Sequence, residues 1–360
     1  MSEQDTTPDV ERVENTAELT PDSVRVEQAA EATVPTDTGL AAILNSSVGR
    51  NLGLVVALGL ICLVGIVSAG DRFASTDNVL TILRLAATIG VVSIGMTFVI
   101  TGGGIDLSVG AILALSSVWC TTFATQNMAE DTHWLLMVLT ALAVGAGCGL
   151  VNGLLISYGG IVPFIATLAM LASARGLAEI ISERKTQIVR IDGFLDFFKA
   201  DVVGIPVIVI IFALVAIVGW VLLNLTTFGR RTLAVGGNPE AARLAGINVK
   251  RHTVYLYVLV GVCCGIAALM LVGSRTSTGS STHGQLYELD AIAAVVIGGT
   301  LLSGGRGTIV GTVLGVLIFM TLSNVFTLNN YDTSTQAVAK GVIIVVAVLL
   351  QQRLARRSNT

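Results

Sequence analysis

Residues 205–224 read IPVIVIIFALVAIVGWVLLN, a run without a single charge. At about 1.5 Å of rise per residue, a run of this length makes a helix of about 30 Å, the thickness of a bilayer's hydrocarbon core. Hydrocarbon offers peptide groups no partner, so the run must satisfy its own backbone, as a helix does. The next stretch, 225–252, carries Arg230, Arg231, Arg243, Lys250 and Arg251 against one acid, Glu240. Basic loops stay on the cytoplasmic side, which orients this span.

Nine further apolar stretches read the same way, at roughly 52–69, 85–100, 107–124, 134–157, 162–181, 253–273, 289–302, 308–327 and 336–352. The expected fold is all-α, a polytopic membrane protein with about ten transmembrane helices. Composition agrees. Only 12% of the 360 residues are charged and 53% are hydrophobic, whereas soluble domains carry about 25% charge. The domain reading is a transmembrane body over 51–353, with 225–252 as its main cytoplasmic loop, and a basic tail at 354–360. With the N-terminus inside, Arg306, Arg353, Arg356 and Arg357 also fall on the cytoplasmic side, and Glu130, Asp131 and Asp332 fall outside. Residues 182–204 dissent, placing Arg184, Lys185, Arg190 and Lys199 outside.

Residues 1–50 hold ten acidic and three basic residues. They lack the basic start and apolar core of a signal peptide and read as a disordered acidic cytoplasmic tail. The remainder is mildly basic, which gives no reason to expect nucleic acid as a partner. Cys62, Cys120, Cys148, Cys263 and Cys264 lie inside apolar blocks without metal-ligand spacing. His133, His252 and His283 are scattered, so neither a metal site nor a catalytic centre is expected. No Gly-x-x-x-x-Gly-Lys-Ser/Thr loop occurs, so ATP chemistry would need another chain.

Within 225–252, Asn238 suits a helix N-cap, Pro239 the first helical position and Gly246 the position after the last turn. Glu240 favours the positive helix end, and Ala241, Ala242 and Ala245 are strong helix formers. The spacing predicts a short capped helix on the cytoplasmic face.

Asp106 and Asp290 each open an apolar string, Ile105–Ile112 and Leu289–Val296, and the two strings resemble each other. They belong to the third and eighth spans, five apart, which predicts an inverted internal repeat; chance likeness between apolar strings is the alternative. Each aspartate reads either as a pathway carboxylate or as a helix cap. Gly102, Gly103 and Gly104 suggest a broken helix before Asp106. Arg175 and Glu179, four apart, predict a local ion pair, while Arg84 and Lys340 read as snorkelling side chains. Small-residue stripes at Gly149/Gly153, Gly261/Gly265 and Gly307/Gly311/Gly315 predict close helix crossings.

Several motifs resemble the ribose/xylose/galactoside-type ABC sugar permeases. They are Gly104-Ile105-Asp106-Leu107-Ser108-Val109-Gly110, Pro163-Phe164-Ile165-Ala166-Thr167-Leu168, the loop with Gly229-Arg230, Asn238 and Ala241-Ala242-Arg243 before Gly246-Ile247, and Leu289-Asp290-Ala291 followed by Gly298-Gly299-Thr300. The resemblance covers about residues 50–355. It implies a permease dimer, or a pairing with a related permease, in the cytoplasmic (inner) membrane of a bacterium. It implies a sugar substrate, a cytoplasmic ATPase gripping Gly229, Arg230, Asn238, Glu240, Ala241, Ala242, Arg243 and Gly246, and an external solute-binding protein. Candidate pathway residues are Asp106, Ser108, Thr167, Asp290 and Thr300. No cofactor is expected on this chain, since ATP and Mg would bind the partner. A stand-alone secondary carrier and a membrane enzyme are the alternatives. The first usually needs ionisable residues buried mid-span, and the second a nucleophile–base pair.

Overall fold

The computed structural model describes residues 47–357, so the acidic tail, apart from its last few residues, and the final three positions lie outside the described residues. The described part from Arg50 onward forms one compact unit. Its leading helices are α1 (Ser47–Ala69), α2 (Asp71–Ala74), α3 (Thr76–Thr101), α4 (Val109–Cys120), α5 (Phe123–Asp131), α6 (Leu135–Ser157) and α7 (Pro163–Ser182). After these come α8 (Asp192–Lys199), α9 (Val207–Asn224), α10 (Thr227–Gly237), α11 (Pro239–Leu244) and α12 (Val249–Met270), which runs on through a π-helical turn to Thr276. The last three are α13 (Tyr287–Ile297), α14 (Ile309–Leu328) and α15 (Thr333–Arg357). Two miniature antiparallel ladders interrupt the helices: β1 (Gln187–Ile188) with β4 (Thr278–Gly279), and β2 (Asp201–Val202) with β3 (Ile205–Pro206).

Each of the ten apolar stretches contains a helix, although the eighth leaves its helix after Ile297 and the third is broken after Cys120. Among the described residues, seven helices are long and apolar enough to cross a membrane, and the bent pair α4–α5 makes an eighth. The helix ends depart from the apolar runs for local reasons. α3 starts nine residues before its apolar run, because the Ser75 hydroxyl accepts from Asn78 N at 3.2 Å and caps it there. The third stretch bends by 54° after Cys120. There the Thr122 hydroxyl accepts from Thr125 N and starts α5 as a separate helix. α13 has only 11 residues, about 16 Å of helix, half a bilayer core. α15 begins after Asp332, whose carboxylate accepts from Thr335 N and is held below its usual range by that bond. It continues through Arg357, so the first four residues of the expected 354–360 tail are helical.

The central core surrounds α3, whose face from Ala86 to Thr101 is buried throughout. The closest crossing is α6 on α12. A Cβ on Gly261 would fall on the Gly145 carbonyl, and one on Gly149 on the Tyr257 carbonyl. Gly145 extends the Gly149/Gly153 stripe by one turn, and the same device recurs where Gly311 and Gly315 of α14 meet Gly298 and Ala294. Helices in lipid gain no hydrophobic advantage from association, so contact at backbone distance supplies the attraction.

The crossing is testable by a matched pair. Gly261→Ala forces backbone apart and costs about 1–3 kcal/mol, lowering the melting temperature in detergent. Gly147→Ala on the same α6 meets nothing within 4 Å and should leave it unchanged.

Candidate translocation segment and coupling loop

Beyond the π turn, the chain from Ser277 to Leu286 is not helical, yet it runs between the helices. A Cβ on Gly279 would strike Thr121 and the Ser117 carbonyl at the end of α4, and one on Gly284 would strike Gly110 in its first turn. The segment therefore lies along nearly the whole of α4, about 15 Å of descent into the bundle. Irregular backbone at such depth persists only where protein or a wet cavity satisfies it. Protein partners are visible. The Arg175 guanidinium on α7 donates to the carbonyls of Ser281 and of His283, the latter at 2.8 Å. His283 Nδ1 lies 3.2 Å from the Ser117 hydroxyl. Ser277 O accepts from Val189 N at 3.0 Å, next to the β1–β4 ladder. Thr282 and Gln285 are exposed. The half-helix α13 then starts, with Glu288 facing the first turn of α4 at Gly110.

This segment was missed by the reading of spans, which left it in a loop. Its signal was present: residues 277–285, STGSSTHGQ, hold five hydroxyls and no large apolar side chain. A helix too short to span follows directly.

The sequence-predicted pathway residues are differently placed. Asp106, Ser108, Thr167 and Thr300 are fully buried. Thr167 gives its hydroxyl to Pro163 O at 2.9 Å, and Thr300 Oγ1 accepts from Thr308 N at 3.3 Å. Asp106 and Ser108 are brought together in the break between α3 and α4, where Asp106 Oδ1 accepts from Ser108 N at 2.8 Å. Asp106 is thus no cap of α4, whose N-cap residue is Ser108 itself.

The expected Arg175–Glu179 pairing and the readings of Asp290 as a cap and Lys340 as a snorkelling side chain are corrected. Asp290 sits inside the first turn of α13 rather than before it. Both its oxygens lie 3.2 Å from Lys340 Nζ of α15, and Lys340 also stands 5.0 Å from the Phe319 ring. Lys340 does not snorkel, because a carboxylate within reach gives its charge a partner inside the bundle. Arg175 pairs with loop carbonyls rather than with Glu179, which bonds Arg184 at 3.1 Å. Arg84 approaches Asp201 at 3.9 Å, both half-exposed.

The 225–252 loop folds into two helices, of which the first, α10, was not foreseen. The Thr226 hydroxyl accepts from Gly229 N and caps it. Buried Gly229 packs so tightly on the end of α9 that a Cβ would meet the Leu223 carbonyl. Arg230 of α10 is exposed. α11 carries the caps read in the sequence: Asn238 Oδ1 accepts from Ala241 N at 3.0 Å, and Gly246 has φ +82°. Glu240 and Arg243 pair at 2.8 Å on the surface. Of α11, only Ala242 is buried, and Leu244 stands 84% exposed. Leu244, not among the residues singled out in the sequence, is an apolar side chain left uncovered between the charges.

Behind α11 the loop is bolted to the bundle. His252 of α12 shares a 2.9 Å hydrogen bond with Thr232 of α10, and its ring packs 4.8 Å from Phe228. Three glycine turns meet at the end of α10. Gly236 lies against Thr101 O, Gly103 and Gly304, and Gly305 N donates to Thr101 O at 2.9 Å. Among the described residues, no His/Cys/Asp/Glu cluster could hold a metal.

A bundle of apolar helices, one polar segment threaded between them and a capped helix pair at one end define a polytopic membrane permease. The chain belongs to the family described as branched-chain amino acid transport system / permease component, which matches residues 78–349. It is 46% identical over 299 residues to the ribose import permease protein RbsC of Bacillus subtilis, covering 82% of this chain and 91% of the relative. It is 38% identical over 307 residues to the fructose import permease protein FrcC of Rhizobium meliloti, with 83% and 84% covered. To the D-allose transport system permease protein AlsC of Escherichia coli it is 35% identical over 286 residues, with 79% and 86% covered. No solved structure matches it.

The Asp290–Lys340 pair predicts a coupled loss. Lys340→Gln strands a carboxylate and destabilises by roughly 3 kcal/mol. Combining it with Asp290→Asn should recover most of the melting temperature, which a double-mutant cycle on the detergent-purified chain measures.

Proposed function

We propose that the chain is the membrane-spanning subunit of an ATP-driven importer for a monosaccharide such as ribose, xylose or galactose, working by alternating access in the bacterial cytoplasmic membrane. The observation that carries the reading is α11: a short helix capped at both ends, presented outward and backed by glycine turns that bind it to the spans. A stand-alone carrier has no use for such a knob, and an ATPase subunit does. Its contact residues would be Arg230, Asn238, Glu240, Ala241, Arg243 and Gly246, with Leu244 as the apolar anchor, while buried Gly229 and Ala242 seat the helix pair on the bundle. ATP and Mg belong to that partner, and this chain needs no cofactor. An external binding protein delivers the sugar, and a second permease copy completes the pathway.

The polar segment Ser277–Gln285 is the better candidate for the pathway wall than the buried Asp106, Ser108, Thr167 and Thr300. Its hydroxyls match a sugar's, and Thr282 and Gln285 are left uncovered by the rest of the chain. The apolar groove of about 480 Å³ bordered by Leu115, Trp119, Val151, Met170 and Leu177 offers a sugar no hydrogen bonds.

Two measurements test this. Affinity purification of the tagged chain in mild detergent should bring down a chain with ATP-binding phosphate loops. Glu240→Lys and Gly246→Val should keep the chain in the membrane but reduce ribose uptake at least tenfold. Normal uptake by both would remove α11 from the coupling role. Separately, Thr282→Cys should react with a membrane-impermeant maleimide, and the label should block uptake; a cysteine there that stays unlabelled in transporting cells would exclude the segment from the pathway.

A further inference from the structure

The break between α3 and α4 contains an unbalanced hydrogen-bond account. Asp106, Ser108 and Asn152 are each fully buried. The Ser108 hydroxyl donates to Asp106 Oδ1 at 2.5 Å, and Asn152 Nδ2 donates to the Ser108 hydroxyl at 3.0 Å. Two oxygens are left over, Asp106 Oδ2 and Asn152 Oδ1, and neither has a partner. Both are acceptors, so what is missing is one donor. Both side chains bond the same Ser108 hydroxyl, which places the two leftover oxygens on neighbouring groups.

No cation is at hand to balance a carboxylate. Asp106 takes part in none of the ion pairs among the described residues. The titratable groups that feel it from the packed helices are Tyr257 and Cys264 of α12 and Cys148 of α6. None of them carries positive charge, and the Tyr257 hydroxyl is committed to Ile105 O at 3.3 Å. An unpaired charge buried in this way is far costlier than a buried neutral group. Turning the Asn152 amide round does not help. Its oxygen would then face the Ser108 oxygen, whose only hydrogen already goes to Asp106.

We propose that Asp106 holds a resident proton, so that its Oδ2–H donates to Asn152 Oδ1 and the three side chains close a ring in which each donates once and accepts once. The ring ties the start of α4 to α6 without a counter-ion. It also takes Asp106 out of sugar binding and out of proton transport, because a proton that completes a ring has no reason to leave. The proposal does not depend on the importer reading.

The test is the infrared spectrum of the full-length chain purified in detergent at neutral pH, as a difference between wild type and Asp106→Asn. The carboxamide supplies the same donor and acceptor, so the variant should accumulate in the membrane like wild type. The difference spectrum should lose one protonated-carboxyl C=O band and no carboxylate band. Loss of a carboxylate band instead, or failure of Asp106→Asn to accumulate, would overturn the proposal. Asp106→Ala leaves Asn152 and Ser108 unpaired and should accumulate less than Asp106→Asn; parity of the two would also count against the ring. Radiolabelled ribose uptake adds a separate reading. If wild type takes up ribose, Asp106→Asn should do so at the wild-type rate, and a variant that folds but does not transport would return Asp106 to an ionised role. If wild type itself does not, the importer proposal fails while the spectrum still decides the ring.

Discussion

A peptide group in hydrocarbon finds no water to bond to, and each unsatisfied one costs several kcal/mol. Long helices meet the constraint internally. Everything else in this molecule follows from how the exceptions meet it. Where α3 ends, Thr101 O is taken by Gly305 N. Where the chain leaves α12, Arg175 supplies donors to two carbonyls of a segment that has no strand or helix to join. Where α6 crosses α12, the backbones come so close that side chains are excluded altogether. The breaks are therefore not weak points. Each is held by a specific partner on another element, which fixes the polar segment at a defined depth.

The spans were legible because a charge-free run of twenty residues has one outcome in lipid. Their ends were not, where polar residues continue a helix: Asp77, Asn78 and Arg84 belong to α3 because Ser75 caps it, a contact that apolar counting ignores. α11 was legible to the residue because capping is local and its sequence spells both ends. α10 beside it was not, since Gly229, Gly236 and Gly237 read as loop until their contacts are known. Charged residues were the least legible. Glu179 four places from Arg175 is the natural helical partner, yet Arg175 is drawn away by carbonyls 106 and 108 residues distant. Asp290 and Lys340 meet across 50 residues, and no periodicity in either helix announces it.

The same limit applies to the pathway. Polar residues inside apolar strings, such as Asp106 and Thr300, looked functional because they stand out against their neighbours. Three dimensions reverse the weighting. An isolated polar side chain in a membrane span has strong reason to find a partner and be sealed, as Thr167 and Thr300 are. A polar string that cannot form a helix or a span must instead be accommodated as a unit, and here some of its groups are left uncovered by the chain. Residues 277–285 show the second pattern, which is the reason for proposing them as the pathway wall.

The junction of Gly103, Gly236 and Gly304–Gly305 then connects the two halves of the problem. Side chains at these contacts would act as springs, since rotamers absorb displacement. Backbone packed on backbone has no such freedom, so α10 is held rigidly against the end of α3 and the turn between α13 and α14. The first of those leads directly into the break that holds Asp106. The second leads into the half-helix that follows the polar segment. The capped helix pair thus contacts the elements that lead to both non-helical segments, which is the connection the proposed coupling role needs.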